Sequence, residues 1–173
     1  QLDALAETSL LDKLDEDPAG AIDLARQVLA LDASTRHEHE LFHAYLQRWI
    51  PVYYRALDVL GHKDGLSGVA QIMVGLPEEE VLGYCRELLE WHFDSEIGRV
   101  EIAPGVQATR GLRICESIRG LMRELEDAGV EIYIVSASCI WPVKVVADFF
   151  GLDPKKVIAI QLEVRGGELS EDV

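Results

Sequence analysis

Ser136-Ala137-Ser138 follows directly on Ile132, Tyr133, Ile134 and Val135, and it is where this sequence is best placed to handle an anion. The run before it is β-branched and aromatic, too short for a helix, and ended abruptly by small polar residues. That reads as a strand buried on both faces, as in parallel α/β sheets. Ligands of open α/β sheets lie outside the carboxyl ends of the strands, and a helix N-terminus there offers free N–H groups to phosphate. Ser136 supplies a hydroxyl at that point, and Ser138 can cap the helix that follows. A second constellation is His39-Glu40-Leu41-Phe42-His43, an HExxH spacing. On a helix its histidines share a face and can bind zinc while Glu40 activates water, with His62, His92 or a Glu as third ligand. Trp49, Tyr53 and Tyr54 suit a helical core stripe, and their ring faces also suit a quaternary ammonium.

The elements that position these groups can be read from periodicity. Residues 116–128 form a helix with Ile118, Leu121, Met122 and Leu125 at i, i+3, i+4 and i+7, closed by Gly129. After Ser138 a helix carries Pro142 in its first turn and Val143, Val146, Ala147 and Phe150 on one face. Lys144, early in that helix, is expected to be exposed. A second strand spans 157–160, and Gly166-Gly167 marks a hairpin turn. Upstream, residues 2–14 and 19–31 read as short amphipathic helices, and 34–60 as a longer one that Pro51 should kink or break. GHKDG (61–65) reads as a loop and 66–74 as a short helix. Pro77 with Glu78, Glu79 and Glu80 is a helix start, not a metal site. Residues 98–111 read as a joining segment, in which Arg110, like Arg113 just after it, lies in solvent or reaches an anion; His37 and His92 are surface or partly packed. The chain divides into a helical part, 1–104, and an α/β part, 105–173.

The totals exclude some classes. A net charge of −15 argues against a nucleic-acid partner, and no apolar run approaches a bilayer span. Cys85, Cys115 and Cys139 are odd in number and lack CxxC spacing, which suits reduced thiols in a cytoplasm.

With these pieces in order, the last 53 residues resemble the haloacid dehalogenase (HAD) superfamily, nearest its phosphoserine-phosphatase-like branch, which includes phosphocholine phosphatases. The match runs helix, Gly129, strand, serine, helix, Gly151-Leu152, strand, and the hairpin Gly167-Glu168-Leu169-Ser170. The resemblance implies a Rossmann-like parallel sheet, present in part, with residues 1–104 as an inserted helical cap. It implies a Mg²⁺-dependent phosphatase that hydrolyses a small phosphomonoester through an aspartyl-phosphate. Ser136 would be the motif II residue binding the phosphoryl group, with the Ala137 N–H beside it and Ser138 at the pocket wall. No strand followed by DxDx[TV] occurs in the 173 residues, and Asp15-Glu16-Asp17 reads as a helix-breaking turn. The nucleophile, lysine and Mg²⁺-ligand motifs would lie outside this chain, which alone is expected to be inactive. The stretch GLSGVAQIMVGLP (65–77) lacks the arginine that phosphoserine phosphatases carry before the last cap helix. With SAS in place of SGG, this favours another small phosphorylated metabolite, such as an amino-alcohol phosphate. The alternatives are a catalytically inactive HAD-like binding module and a zinc hydrolase built on HELFH.

Overall fold

The structure is a computed structural model and describes residues 18–170 apart from 33 and 72; the helix expected over 2–14 and the Asp15-Glu16-Asp17 turn lie outside the described residues. Helix α1 (Pro18–Leu29) begins with proline at its first position, where the missing N–H costs nothing. It buries Ala21, Ile22, Ala25 and Val28, one stripe at helical spacing. A 3₁₀ turn (Arg36–Glu38) leads into helix α2 (Glu40–Gln71), 32 residues long.

Helix α2 differs from the sequence reading in two places. It runs through Pro51 and through GHKDG without ending. Interior proline costs about 3 kcal/mol and each interior glycine about 1 kcal/mol. Against that, Val52, next to the proline, is buried. Propagation also adds one backbone bond per residue once a helix is nucleated on both sides. Packing and cooperativity outweigh the local breakers.

Helix α3 (Glu78–Asp94) starts where Pro77 and three glutamates place it, and buries Val81 and Leu89. The expected joining segment is instead a pair of strands, β1 (Gly98–Ala103) and β2 (Val106–Arg110), forming a two-stranded sheet. They are linked by Pro104-Gly105, with Gly105 at φ +76° as the third residue of a tight turn demands. Helix α4 (Glu116–Asp127) ends in a Schellman motif. There the Val130 N–H donates to Leu125 O and the Gly129 N–H to Glu126 O, with Gly129 at φ +80°.

Strand β3 (Ile134–Cys139) pairs in parallel with β4 (Val157–Ile160), and helix α5 (Ile140–Phe150) packs on both. Strands β5 (Val164–Arg165) and β6 (Glu168–Leu169) form the expected hairpin, with Gly166 and Gly167 both at positive φ. The core gathers Val81, Ile140, Trp141, Ala147, Leu152, Val157, Leu162 and Leu169, of which Trp141 and Leu169 are the largest fully buried side chains. Leu169 is also tied by backbone: its N–H donates to Leu76 O and its carbonyl accepts from the Gly75 N–H.

The β3 strand is not buried on both faces. Ile134 and Val157, paired across the ladder, pack on the core, whereas the next pair, Val135 and Ile158, is 75% and 57% exposed. The α4 stripe is likewise covered only in part, since Met122 meets the core while Ile118, Leu121 and Leu125 stay exposed. Of the expected α5 stripe, Ala147 is buried in the core and Val143 and Phe150 pack against it, while Ile140, Trp141 and Val145, outside that stripe, are buried as well. This helix is apolar nearly all round, so periodicity alone does not choose its inner side.

By contacts the chain forms two compact units, residues up to 68 with 99–109, and residues 69–98 with 110–173. Helix α3, helical in texture and upstream of residue 104, thus packs with α5 and the strands that follow it. The described residues are a mixed α/β fold with small sheets, one of them parallel.

Candidate anion site at the end of β3

The site is built by a break in the β3–β4 ladder. Val135 pairs with Ile158 and Cys139 with Ile160, so Ser136, Ala137 and Ser138 stand opposite the single residue Ala159. Two extra residues must leave the pleat, a bulge of the kind that re-aims side chains beside functional sites. Within it the Ser138 N–H donates to Ser136 Oγ at 3.1 Å, a local turn of serine's usual kind. Ser136 Oγ is therefore held as an acceptor, and its hydroxyl proton stays available for an incoming oxyanion. Ala137, exposed, has no partner position in the ladder.

Helix α5 begins immediately after. Its N-cap is Cys139, so Ser138 belongs to the strand and is not the cap expected of it. Cys139 makes no side-chain hydrogen bond to the helix end. The first turn thus offers backbone N–H groups beside the bulge, with Pro142 removing only one donor. The fully buried Trp141 in this turn carries an indole N–H without a partner among the described residues. Burial raises the thiol of Cys139 above the ordinary range. Burial also raises that of Cys85, helped by the neighbouring Cys139. Neither is poised as a thiolate at neutral pH.

Other candidate residues fall elsewhere. Lys144 is half-buried, not exposed, and donates to Glu78 Oε1 at 3.2 Å. Arg86 donates to Asp148 at 2.6 Å in the adjoining α3–α5 groove, so both cations that line the groove are already neutralised. Arg113 is spent on the carbonyls of Phe93, Leu112 and Ser95, where it closes the end of α3. Arg110 is half-buried, and its Nε has no partner among the described residues. The HELFH histidines bracket the first turn of α2, the His43 N–H donating to His39 O at 3.3 Å. His39 precedes α2, and its Nδ1 accepts from the Leu41 N–H at 3.1 Å, so it acts as a helix cap. Among the described residues no group of three or more His, Cys, Asp or Glu side chains is arranged to hold a metal. The residues around Ser136 are hydroxyls and amides and do not make a Mg²⁺ site; no step through that ion follows from them. Tyr45 and Trp49 stack at 6.3 Å along α2, whereas Tyr54, expected in the core, is 63% exposed.

The bulge is the feature the sequence did not disclose. The strand, the serines and the following helix were all legible; the count of residues opposite them depends on the partner strand.

No family model and no curated protein matches this chain. Among solved structures it is similar to a conserved, functionally unknown protein from Anaerococcus prevotii DSM 20548, with a TM-score of 0.51 and 23% identity over 58% of this chain. The aligned region is 30% of that protein, so this chain spans less than a third of its length. The likeness concerns the fold alone. No helix among the described residues is long and apolar enough to cross a membrane.

Proposed function

We propose that this chain carries the phosphoryl-binding strand and helix of a HAD-type phosphatase, with Ser136 as the hydroxyl that meets the substrate phosphoryl group. The observation that carries the reading is the bulge. It lifts Ser136-Ala137-Ser138 out of the ladder at the carboxyl end of a parallel strand, next to a helix N-terminus without a side-chain cap. Preorganised donors aimed at phosphoryl oxygens are what phosphoryl transfer needs from a protein, since the reaction is mostly positioning and charge stabilisation. The Ser136 hydroxyl would donate to one phosphoryl oxygen and the Ala137 N–H to another, while Ser138 lines the site. Nucleophile and Mg²⁺ ligands would come from sequence outside these residues, and the substrate would be a small phosphomonoester.

The test is binding of inorganic phosphate to the purified 173-residue chain, followed by amide chemical shifts. The reading expects saturable shifts at Ala137, Ser138, Ile140 and Trp141, weakened roughly tenfold to a hundredfold in Ser136→Ala, because a hydrogen bond to a charged group contributes about 1.5–3 kcal/mol. Saturation with the same affinity in Ser136→Ala would remove the serine from the site. Intact mass and end sequencing of the natural polypeptide decide the catalytic half. A DxDx[TV] strand in added N-terminal sequence, with Mg²⁺-dependent hydrolysis of phosphomonoesters, supports a phosphatase; its absence leaves a binding module.

A further inference from the structure

The first compact unit has a groove of its own, about 370 Å³, between α2 and the β1–β2 hairpin. Tyr53 and Tyr54 of α2 line one side, their rings 5.2 Å apart and tilted by 60°. Ile50 of α2 and Ile102 of β1 supply apolar wall, and Gln107 of β2 an amide. Gln47 of α2 donates to Pro104 O at 2.5 Å and so ties the helix to the hairpin turn.

What distinguishes this groove is its charge. The Arg99 side chain lines it with no hydrogen bond or ion pair among the described residues, and no carboxylate is among the lining residues. In a chain of net charge −15 a cation is normally matched, as Arg26, Arg86, Arg119, Lys144 and Arg165 are. The acid that shares Arg99's strand face, Glu101, is engaged elsewhere: its carboxylate accepts the Gly105 N–H at 2.7 Å in the turn. The groove therefore offers a free guanidinium fork next to two aromatic faces and two aliphatic side chains. A fork matches a carboxylate in two parallel hydrogen bonds, and a ring prefers tilted or offset contact with tyrosines. Pockets of this size hold small molecules through apolar walls and a few placed polar groups.

We propose that this groove binds a small aromatic carboxylate, its ring against Tyr53, Tyr54 and the two isoleucines and its carboxylate on Arg99. The site lies within the first unit and uses neither Ser136 nor the β3–α5 junction.

The experiment is a titration of the whole chain with benzoate, followed by amide and side-chain chemical shifts, with acetate as the ligand lacking a ring. The expected result is saturable shifts at residues 50–54, 99 and 102, with acetate at least tenfold weaker. Arg99→Ala should raise the Kd at least tenfold, and Tyr54→Ala, another exposed position, about threefold. Ser136→Ala should leave benzoate binding unchanged. No saturable shift, an unchanged Kd in Arg99→Ala with its circular dichroism intact, or loss of benzoate binding in Ser136→Ala would each overturn the proposal.

Discussion

Gly111 is the residue whose replacement tests the fold most directly. It sits at φ +82°, and a Cβ built on it would lie 2.6 Å from Ile97 Cα and 2.7 Å from Glu96 O. Gly129 shares the left-handed conformation, at φ +80°, but its Cβ would meet nothing within 4 Å. Gly120, inside α4, has neither constraint. The three positions therefore separate backbone strain from steric collision. Placing alanine in the left-handed region costs about 1–2 kcal/mol, which is the whole expected loss for Gly129→Ala. Gly111→Ala adds a clash with backbone that no side-chain rotation relieves, and overpacking of that kind costs about 1–3 kcal/mol more. Gly120→Ala should stabilise by about 0.5–1 kcal/mol, since alanine is the better helix residue. All three glycines lie in the second compact unit, so one urea transition reports them together. The order expected is Gly120→Ala above the parent chain, Gly129→Ala below it, and Gly111→Ala lowest. Equal losses at 111 and 129 would show that the 96–111 approach is not as close as the structure has it.

Leu169 makes the companion test of the hairpin as part of the core. It is fully buried and belongs to the main cluster, so Leu169→Ala should cost about 2–5 kcal/mol. A loss below about 1 kcal/mol would mean that β5–β6 is peripheral to this core. The cysteines should separate by reactivity. Cys115 is exposed at the N-cap of α4 and hydrogen-bonded to Ser117 at 3.1 Å, which holds its thiol below the ordinary value, whereas burial raises Cys85 and Cys139. A lowered pKa means thiolate at lower pH, so iodoacetamide should modify Cys115 first and most selectively on the acidic side of the ordinary thiol range. Ser117→Ala should move that pH profile upward. Peptide mapping that finds Cys85 or Cys139 labelled as fast would contradict the assignment.

The elements legible in the sequence were those fixed by local chemistry. Gly129 ends α4 because only a left-handed residue completes the Schellman bonds, and Gly166-Gly167 turns the last hairpin because both positions need positive φ. The Glu78–Glu80 start of α3 is a dipole effect contained in one turn. What escaped was settled by partners. Pro51 is a breaker by its own chemistry, yet α2 passes through it beside the buried Val52. The α5 stripe was legible in part: Val143, Ala147 and Phe150 meet the core, but on a helix polar only at Lys144 and Asp148 periodicity did not mark the buried Trp141 and Val145. The hairpin at 98–110 has exposed and half-buried residues without a long apolar run, so it reads as a loop until Pro104-Gly105 is seen to reverse it.

The proposed anion site shows the same division more sharply. Alternation along a strand says which side chains share a face; it does not say how many residues the neighbouring strand will set against them. Ser136, Ala137 and Ser138 face a single residue of β4, and that mismatch takes the serine out of the pleat. Nor does the chain's acidity decide against an anion there. Surface charges are screened over about 8 Å at physiological salt, whereas hydroxyl and amide donors act at contact distance, about 3 Å. A net charge of −15 thus slows the approach of an anion without controlling its final contacts. Local backbone geometry would govern those contacts, and at the end of β3 it gathers a held serine hydroxyl, an amide outside the ladder and a helix start without a side-chain cap.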